Sequence, residues 1–240
     1  MSGHSHAANI AAKKAKTDAA KGKIFTKVGR EIAVAAKSNP DPDTNSKLAD
    51  AIAKAKAANM PNENIKRCIA KAAGELSGNN YEELTYEGYG PAGSAVIIKT
   101  LTDNKNRTVD YVRTAMRKHG GSLGNAGCVS FTFSNLGVIV IERTADLDED
   151  TVMEYALEAG ADDFIAEDDA FVVYTAPSDF SAVRKELEGK GLNFFEAQVE
   201  MVPQNKVTLS GDELAKFERL LDALEDLDDV QNVYHNVDLD

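Results

Sequence analysis

Gly137-Val138-Ile139-Val140-Ile141-Glu142-Arg143, with the run that follows it to residue 204, decides the fold of this 240-residue chain. The β-branched run predicts a strand over 137–143, bounded by turn-forming and polar residues. Beyond it the pattern predicts a helix over 148–159, strands over 162–166 and 170–176, a helix over 178–189 and a strand over 193–201. That order, β-α-β-β-α-β, is ferredoxin-like. The flanking segments repeat it once 134–204 is removed. Strand 94–101, helix 106–119 and strand 128–133 come before; strand 205–209, helix 212–225 and strand 230–237 come after. One unit is therefore expected to sit inside the central hairpin of the other.

Upstream the periodicity changes. Ile24, Val28 and Ile32 recur every four residues beside Phe25, and the helix they predict ends before Ser38-Asn39-Pro40-Asp41-Pro42. A second helix turns Leu48 and Ile52 inward. A third starts after Pro61, buries Ile65 and Ile69, and ends at Gly74. Residues 1–16 have no apolar stripe and are expected to be a mobile arm. The expected fold class is α+β, an N-terminal three-helix bundle followed by two ferredoxin-like βαββαβ domains, one inserted into the other. The expected boundaries are 1–80 for the basic helical domain with its arm, 81–133 plus 205–240 for a discontinuous α/β domain, and 134–204 for an inserted acidic α/β domain.

Charge is sorted along the chain. Residues 1–80 carry 14 Lys and Arg against 7 Asp and Glu, whereas residues 81–240 carry 13 against 32, so the overall net of −12 conceals a basic end. Summed charge governs encounter rather than fold, and this asymmetry points to a basic surface for a polyanion. Charge runs also simply cover solvated faces, which is the plainer reading of the same residues. Apolar runs such as 95–98 and 137–141 are far shorter than the roughly 20 residues a membrane helix needs. The first 25 residues match neither a secretory leader nor a transit peptide, so the expectation is a cytoplasmic protein with no membrane association. Cys68 and Cys128 stand 60 positions apart with no metal-ligand spacing, which points to free thiols.

The motifs that suggest chemistry are weak. Gly88-Tyr89-Gly90-Pro91-Ala92-Gly93 matches G-x-G-x-x-G, but a strand follows it where a dinucleotide site needs a helix. Lys99 downstream imitates a kinase glycine loop, yet the chain has no H-R-D or D-F-G tripeptide. Asp146-Leu147-Asp148-Glu149-Asp150 begins like a calcium loop, but Thr151 and Leu157 stand where Gly and Glu are required. His119 falls at a helix C-terminus, where a cation suits the dipole. Ser2-Gly3-His4 could offer a square-planar copper or nickel set, an incidental one. No catalytic residue, cofactor, metal site or small-molecule substrate is therefore expected, and the protein is read as no enzyme.

The candidate phosphate-contacting residues are Lys13, Lys14, Lys16, Lys21, Lys23, Lys27 and Arg30, supported by Lys105, Arg107, Arg113, Arg117 and Lys118. The second group follows Thr102-Asp103-Asn104 into a helix whose Val109, Val112 and Met116 face inward.

Several strings taken together are more specific. Gly3-His4-Ser5, Asn9-Ile10, Gly22-Lys23-Ile24-Phe25, Ala58-Asn59-Met60-Pro61, Tyr86-Glu87-Gly88-Tyr89-Gly90-Pro91, Thr102-Asp103-Asn104 with Asn106-Arg107-Thr108, and Lys118-His119-Gly120-Gly121 resemble the YebC/PmpR family, end to end. Its mitochondrial relative is the translational activator of cytochrome oxidase subunit one. The resemblance implies a helical domain, two α/β domains and no enzyme. It also implies a DNA-binding transcriptional regulator or, alternatively, a ribosome-associated factor that binds RNA and relieves stalling at stretches such as consecutive prolines. The partner expected is thus nucleic acid, either DNA or ribosomal RNA. His6, Ala7, Ala11 and Ala12 depart from the family's usual string, removing a stacking aromatic and at least two charges. Contacts of the arm are expected to be weaker for it, since stacking contributes about 1–3 kcal/mol per base.

Overall fold

The computed structural model describes residues 21–74 and 81–239, so the basic arm lies outside the described residues. The chain divides into two compact units, residues 1–73 with 135–200, and residues 74–134 with 201–240. The architecture is α+β, with N-terminal helices followed by antiparallel sheets.

In the first unit, α1 (Lys21–Ser38), α2 (Ser46–Ala57) and α3 (Asn62–Gly74) close around Val28, Ile32, Ala36, Leu48, Ala51, Ala55, Met60 and Ile65. These are the stripes the four-residue periodicity marks, with Ile24, Ile52 and Ile69 packed at the margin. Asn45 caps α2 by accepting from the Leu48 amide at 3.1 Å, and its own amide donates to the Ala35 and Asn39 carbonyls. One side chain thus fixes both the start of α2 and its docking on α1.

The rest of this unit is built from β4 (Phe133–Glu142), the helix Glu149–Glu158, β5 (Asp163–Ala166), β6 (Ala170–Thr175), the helix Phe180–Gly189, and β7 (Phe194–Pro203). Its strands lie in the order β5-β6-β4-β7, the arrangement expected of a βαββαβ unit. Ile139, Ile141, Phe171 and Val173 meet Val152, Ala156, Val183 and Leu187 of its two helices. Asp148 accepts from the Thr151 amide at 3.1 Å, so this carboxylate caps the helix it precedes. Asp50 on α2 joins the bundle to this half: it accepts from Arg184 Nε at 3.1 Å and from the Ser181 hydroxyl.

Between β4 and β5 the chain forms a single helix, α5 (Glu149–Glu158), and between β6 and β7 a second, α6 (Phe180–Gly189).

The second unit holds β1 (Glu82–Tyr89), β2 (Ala95–Thr102), α4 (Lys105–Lys118), β3 (Ser122–Leu123), β8 (Val207–Thr208), α7 (Gly211–Glu225), β9 (Val230–His235) and β10 (Val237–Asp238). Its main sheet runs β3-β1-β2-β9, and β8 pairs only with β10. Three expectations change here. Residues 82–89 form a strand, antiparallel to β2 from Glu82 opposite Thr102 to Tyr89 opposite Ala95. They take the inner place in the sheet that the sequence pattern assigns to 205–209, of which only Val207–Thr208 is extended. Of the expected strand 128–133 only Phe133 is extended, as the first residue of β4; the rest is a crossing segment with a short turn at Ser130–Thr132. It lays Val129 and Phe133 on Ala95, Ile97 and Tyr234, the sheet face turned away from α4 and α7. On the opposite face Val96, Ile98 and Val230 pack against Val112, Met116, Phe217, Leu220 and Leu224. The G-x-G-x-x-G string is the β1–β2 connection, with Ala92 at φ 53° and Gly93 at φ 75°.

Asp229, at the start of β9, closes this unit. Its carboxylate accepts from Arg107 Nη2 at 2.8 Å, Thr108 Oγ1 at 2.8 Å and Thr102 Oγ1 at 3.3 Å. Arg107 is partly exposed and keeps Asp103 when the carboxylate is removed, so the loss is chiefly that of the buried hydrogen bonds, about 1–3 kcal/mol, whereas an exposed pair contributes about 0–1 kcal/mol. Asp229→Ala is therefore expected to lower unfolding free energy in urea by about 1–3 kcal/mol. Asp238→Ala, which breaks the exposed pair with Lys206, should stay within about 1 kcal/mol of the parent. Equal losses in the two variants would contradict the assignment.

Candidate nucleic-acid interface

Helix α1 separates its charge from its core. Lys23, Lys27, Arg30 and Lys37 recur at spacings of four, three and seven, which places them on one face, while Val28, Ile32 and Ala36 fill the bundle core from another. At about 1.5 Å per residue the basic face is roughly 21 Å long. Lys23 and Lys37 are exposed and Lys27 and Arg30 half-buried, and each also engages a neighbour within the chain. Lys21 opens the helix. Lys13, Lys14 and Lys16 lie outside the described residues.

The second basic group divides. Lys105 pairs with Glu82 at 2.5 Å, and Arg107 is held by Asp229 and by Asp103, the latter at 2.8 Å. Arg107 is committed to the fold, its guanidinium held above its ordinary pKa by its hydrogen bonds to Asp229 and Asp103, whereas the Lys105–Glu82 pair is exposed at both ends and contributes little. Arg113, Arg117 and Lys118 lie exposed along the C-terminal half of α4. Of these, Arg113 reaches Asp110 at 3.3 Å, an exposed pair that a phosphate can displace at little cost. Arg117 and Lys118 occupy the last turn, where cations suit the helix dipole, and Gly120 at φ 82° follows His119 as the chain leaves the helix.

Sequence reasoning missed the loop that comes next. Glu87, only 8% exposed, accepts from the amides of Gly127, Val129 and Ser130 at 2.8, 2.9 and 2.8 Å. Burial alone would raise its pKa, but these hydrogen bonds outweigh that and hold the carboxyl below its ordinary value of 4.5. Glycines let the loop approach the sheet: a Cβ on Gly121 would stand 2.8 Å from the Tyr89 carbonyl, and one on Gly124 would stand 2.5 Å from Cys128 Sγ. The Tyr89 hydroxyl donates to the Cys128 carbonyl at 2.9 Å. At the end of this seated loop the Phe131 ring is 73% exposed. A sequence signal existed, since residues 111–141 contain no Asp or Glu in a chain with 39 of them.

Comparisons with known proteins place the whole chain in one family. The model for the TACO1/YebC protein N-terminal domain matches residues 5–75, and that for the TACO1/YebC second and third domain matches residues 81–237. A probable transcriptional regulatory protein of Acetivibrio thermocellus is 60% identical, over 98% of each chain. One of Hathewaya histolytica is 56% identical, over 99% of this chain and 97% of its own. The crystal structure of a conserved hypothetical protein from Aquifex aeolicus superposes with a TM-score of 0.82 at 44% identity, covering 93% of this chain and 92% of that one.

The Glu87 seat makes the loop sensitive to acid. A carboxyl whose folded pKa is depressed contributes its full stability above the unfolded value, here about 4.5, and loses it as pH falls through the lower folded value. Hydrogen exchange is expected to show Gly127, Val129 and Ser130 amides protected at neutral pH and released in Glu87→Ala, while Ile98 and Val112 amides stay protected. Unchanged protection at the three loop amides in the variant would contradict the seat.

Proposed function

Because the chain belongs to the TACO1/YebC family, whose relatives carry the name of transcriptional regulators, we propose that it regulates gene expression by binding a nucleic-acid phosphate backbone, without a chemical step. The observation that carries this reading is the basic face of α1, set apart from the core face in a chain whose net charge is −12. An acidic protein repels nucleic acid unless cations are gathered locally, and α1 presents Lys23, Lys27, Arg30 and Lys37 along one face. The exposed Arg113, Arg117 and Lys118 supply a second set of phosphate contacts. In this reading the protein works in the cytoplasm and needs no cofactor, small-molecule substrate or membrane. No described helix is long and apolar enough to cross a membrane.

DNA is the target that the relatives' names favour. A second reading, a ribosome-associated factor that binds RNA, is favoured by the exposed Phe131 ring, because unpaired bases offer a face for stacking that a duplex keeps covered. Both readings require phosphate contacts, and these have a common signature. Log affinity should fall linearly with log salt, by roughly 0.7 to 0.9 per phosphate contacted. The triple variant Lys23→Gln, Lys27→Gln, Arg30→Gln is expected to reduce that slope by about 2 to 3, with circular dichroism showing the helical fold retained. An equal slope in parent and variant would remove α1 from the interface.

A further inference from the structure

We propose that the loop 124–131 is a stacking platform for an unpaired nucleobase, with the Phe131 ring as its surface. This rests on the nucleic-acid reading and narrows it to single-stranded segments.

Four observations converge on the ring. It is 73% exposed although a phenylalanine side chain gains by burial, so the fold leaves that gain to a partner. The backbone beneath it is fixed, because the Glu87 carboxylate holds the Gly127, Val129 and Ser130 amides and the Thr132 carbonyl accepts from the Gln204 amide at 2.9 Å. A pre-ordered loop does not lose conformational entropy when it binds. Tyr89, 42% exposed, adds a second ring tethered to the same loop through the Cys128 carbonyl.

The fourth observation is charge, and it selects the occupant. Residues 111–141 carry Arg113, Arg117, Lys118 and His119 and no acid, and residues 201–211, which hold Gln204, also carry none. Glu87 is buried under its three amide donors. The segments that carry and adjoin Phe131 thus add cations and no carboxylate of their own, which suits a polyanion, and Gln204 Nε2 donates to Ser134 Oγ at 3.3 Å three residues along from the ring. Aromatic faces accept every base, so the platform would favour unpaired strands over particular sequences.

The test uses the full-length protein with a fluorescent 12-nucleotide RNA and the same RNA annealed to its complement. Stacking is worth about 1–3 kcal/mol per base, so Phe131→Ala should weaken single-strand binding by roughly 5- to 150-fold while leaving the salt slope and duplex affinity unchanged. Phe131→Trp should retain affinity. Because the chain has no tryptophan, this substitution also places a lone reporter whose fluorescence single-stranded RNA should quench and duplex should not. Phe131→Leu, apolar but without a π-face, should behave like Phe131→Ala.

Parent-like affinity in Phe131→Ala, with loss in the Lys23/Lys27/Arg30 variant, would overturn the platform and leave the nucleic-acid reading standing. Full affinity in Phe131→Leu would also overturn it, since any apolar contact, such as one with a protein, would then suffice. A parent protein that binds neither RNA would overturn the platform, and one that also fails to bind a duplex DNA of the same sequence would overturn the nucleic-acid reading with it.

Discussion

The Asp229 carboxylate is the tie on which the second unit depends. It reaches Thr102 across 127 positions of sequence and Arg107 across 122, and so joins the end of β2, the first turn of α4 and the start of β9. The intervening chain includes an entire βαββαβ block, yet closing so long a loop costs little more than closing a short one, and the tie adds to the β2–β9 ladder that joins the same segments. The cost of burying the carboxylate is offset by one guanidinium and two hydroxyls that donate to it. With the N-terminus of α4 held there, its other end delivers Arg117, Lys118 and the glycine loop to the edge formed by β1 and β3.

Local patterns were legible where local interactions decide. The block 134–204 follows its own strand alternation and helix periodicity, and its Asp148 cap lies three residues from the amide it meets. The bundle stripes of Val28, Ile32, Leu48 and Ile65 were equally plain. β1 was hidden because Glu82, Glu83 and Glu87 depress strand propensity, and only pairing with β2 and the burial of Glu87 under loop amides make the strand. Residues 128–133 misled for the opposite reason. Their β-branched and aromatic content reads as a strand, yet Val129 and Phe133 serve as plugs on a sheet face.

The candidate site divides along the same line. Clustered lysines on α1 can be counted from sequence, and helical spacing alone places them opposite the core. Which cations the fold itself uses cannot be counted that way: the partner of Arg107 lies 122 positions off. Exposure of Phe131 likewise follows from tertiary structure, since its neighbours Val129 and Phe133 are buried. Charge patterning and packing thus carry different halves of the account, one visible along the chain and the other only across it.

The most direct measurement is ultraviolet crosslinking in living cells, with the attached nucleotides mapped to individual residues by mass spectrometry. The account predicts adducts along 23–37, along 113–118 and at Phe131. Adducts confined to the acidic block 134–204, or none above background, would contradict it.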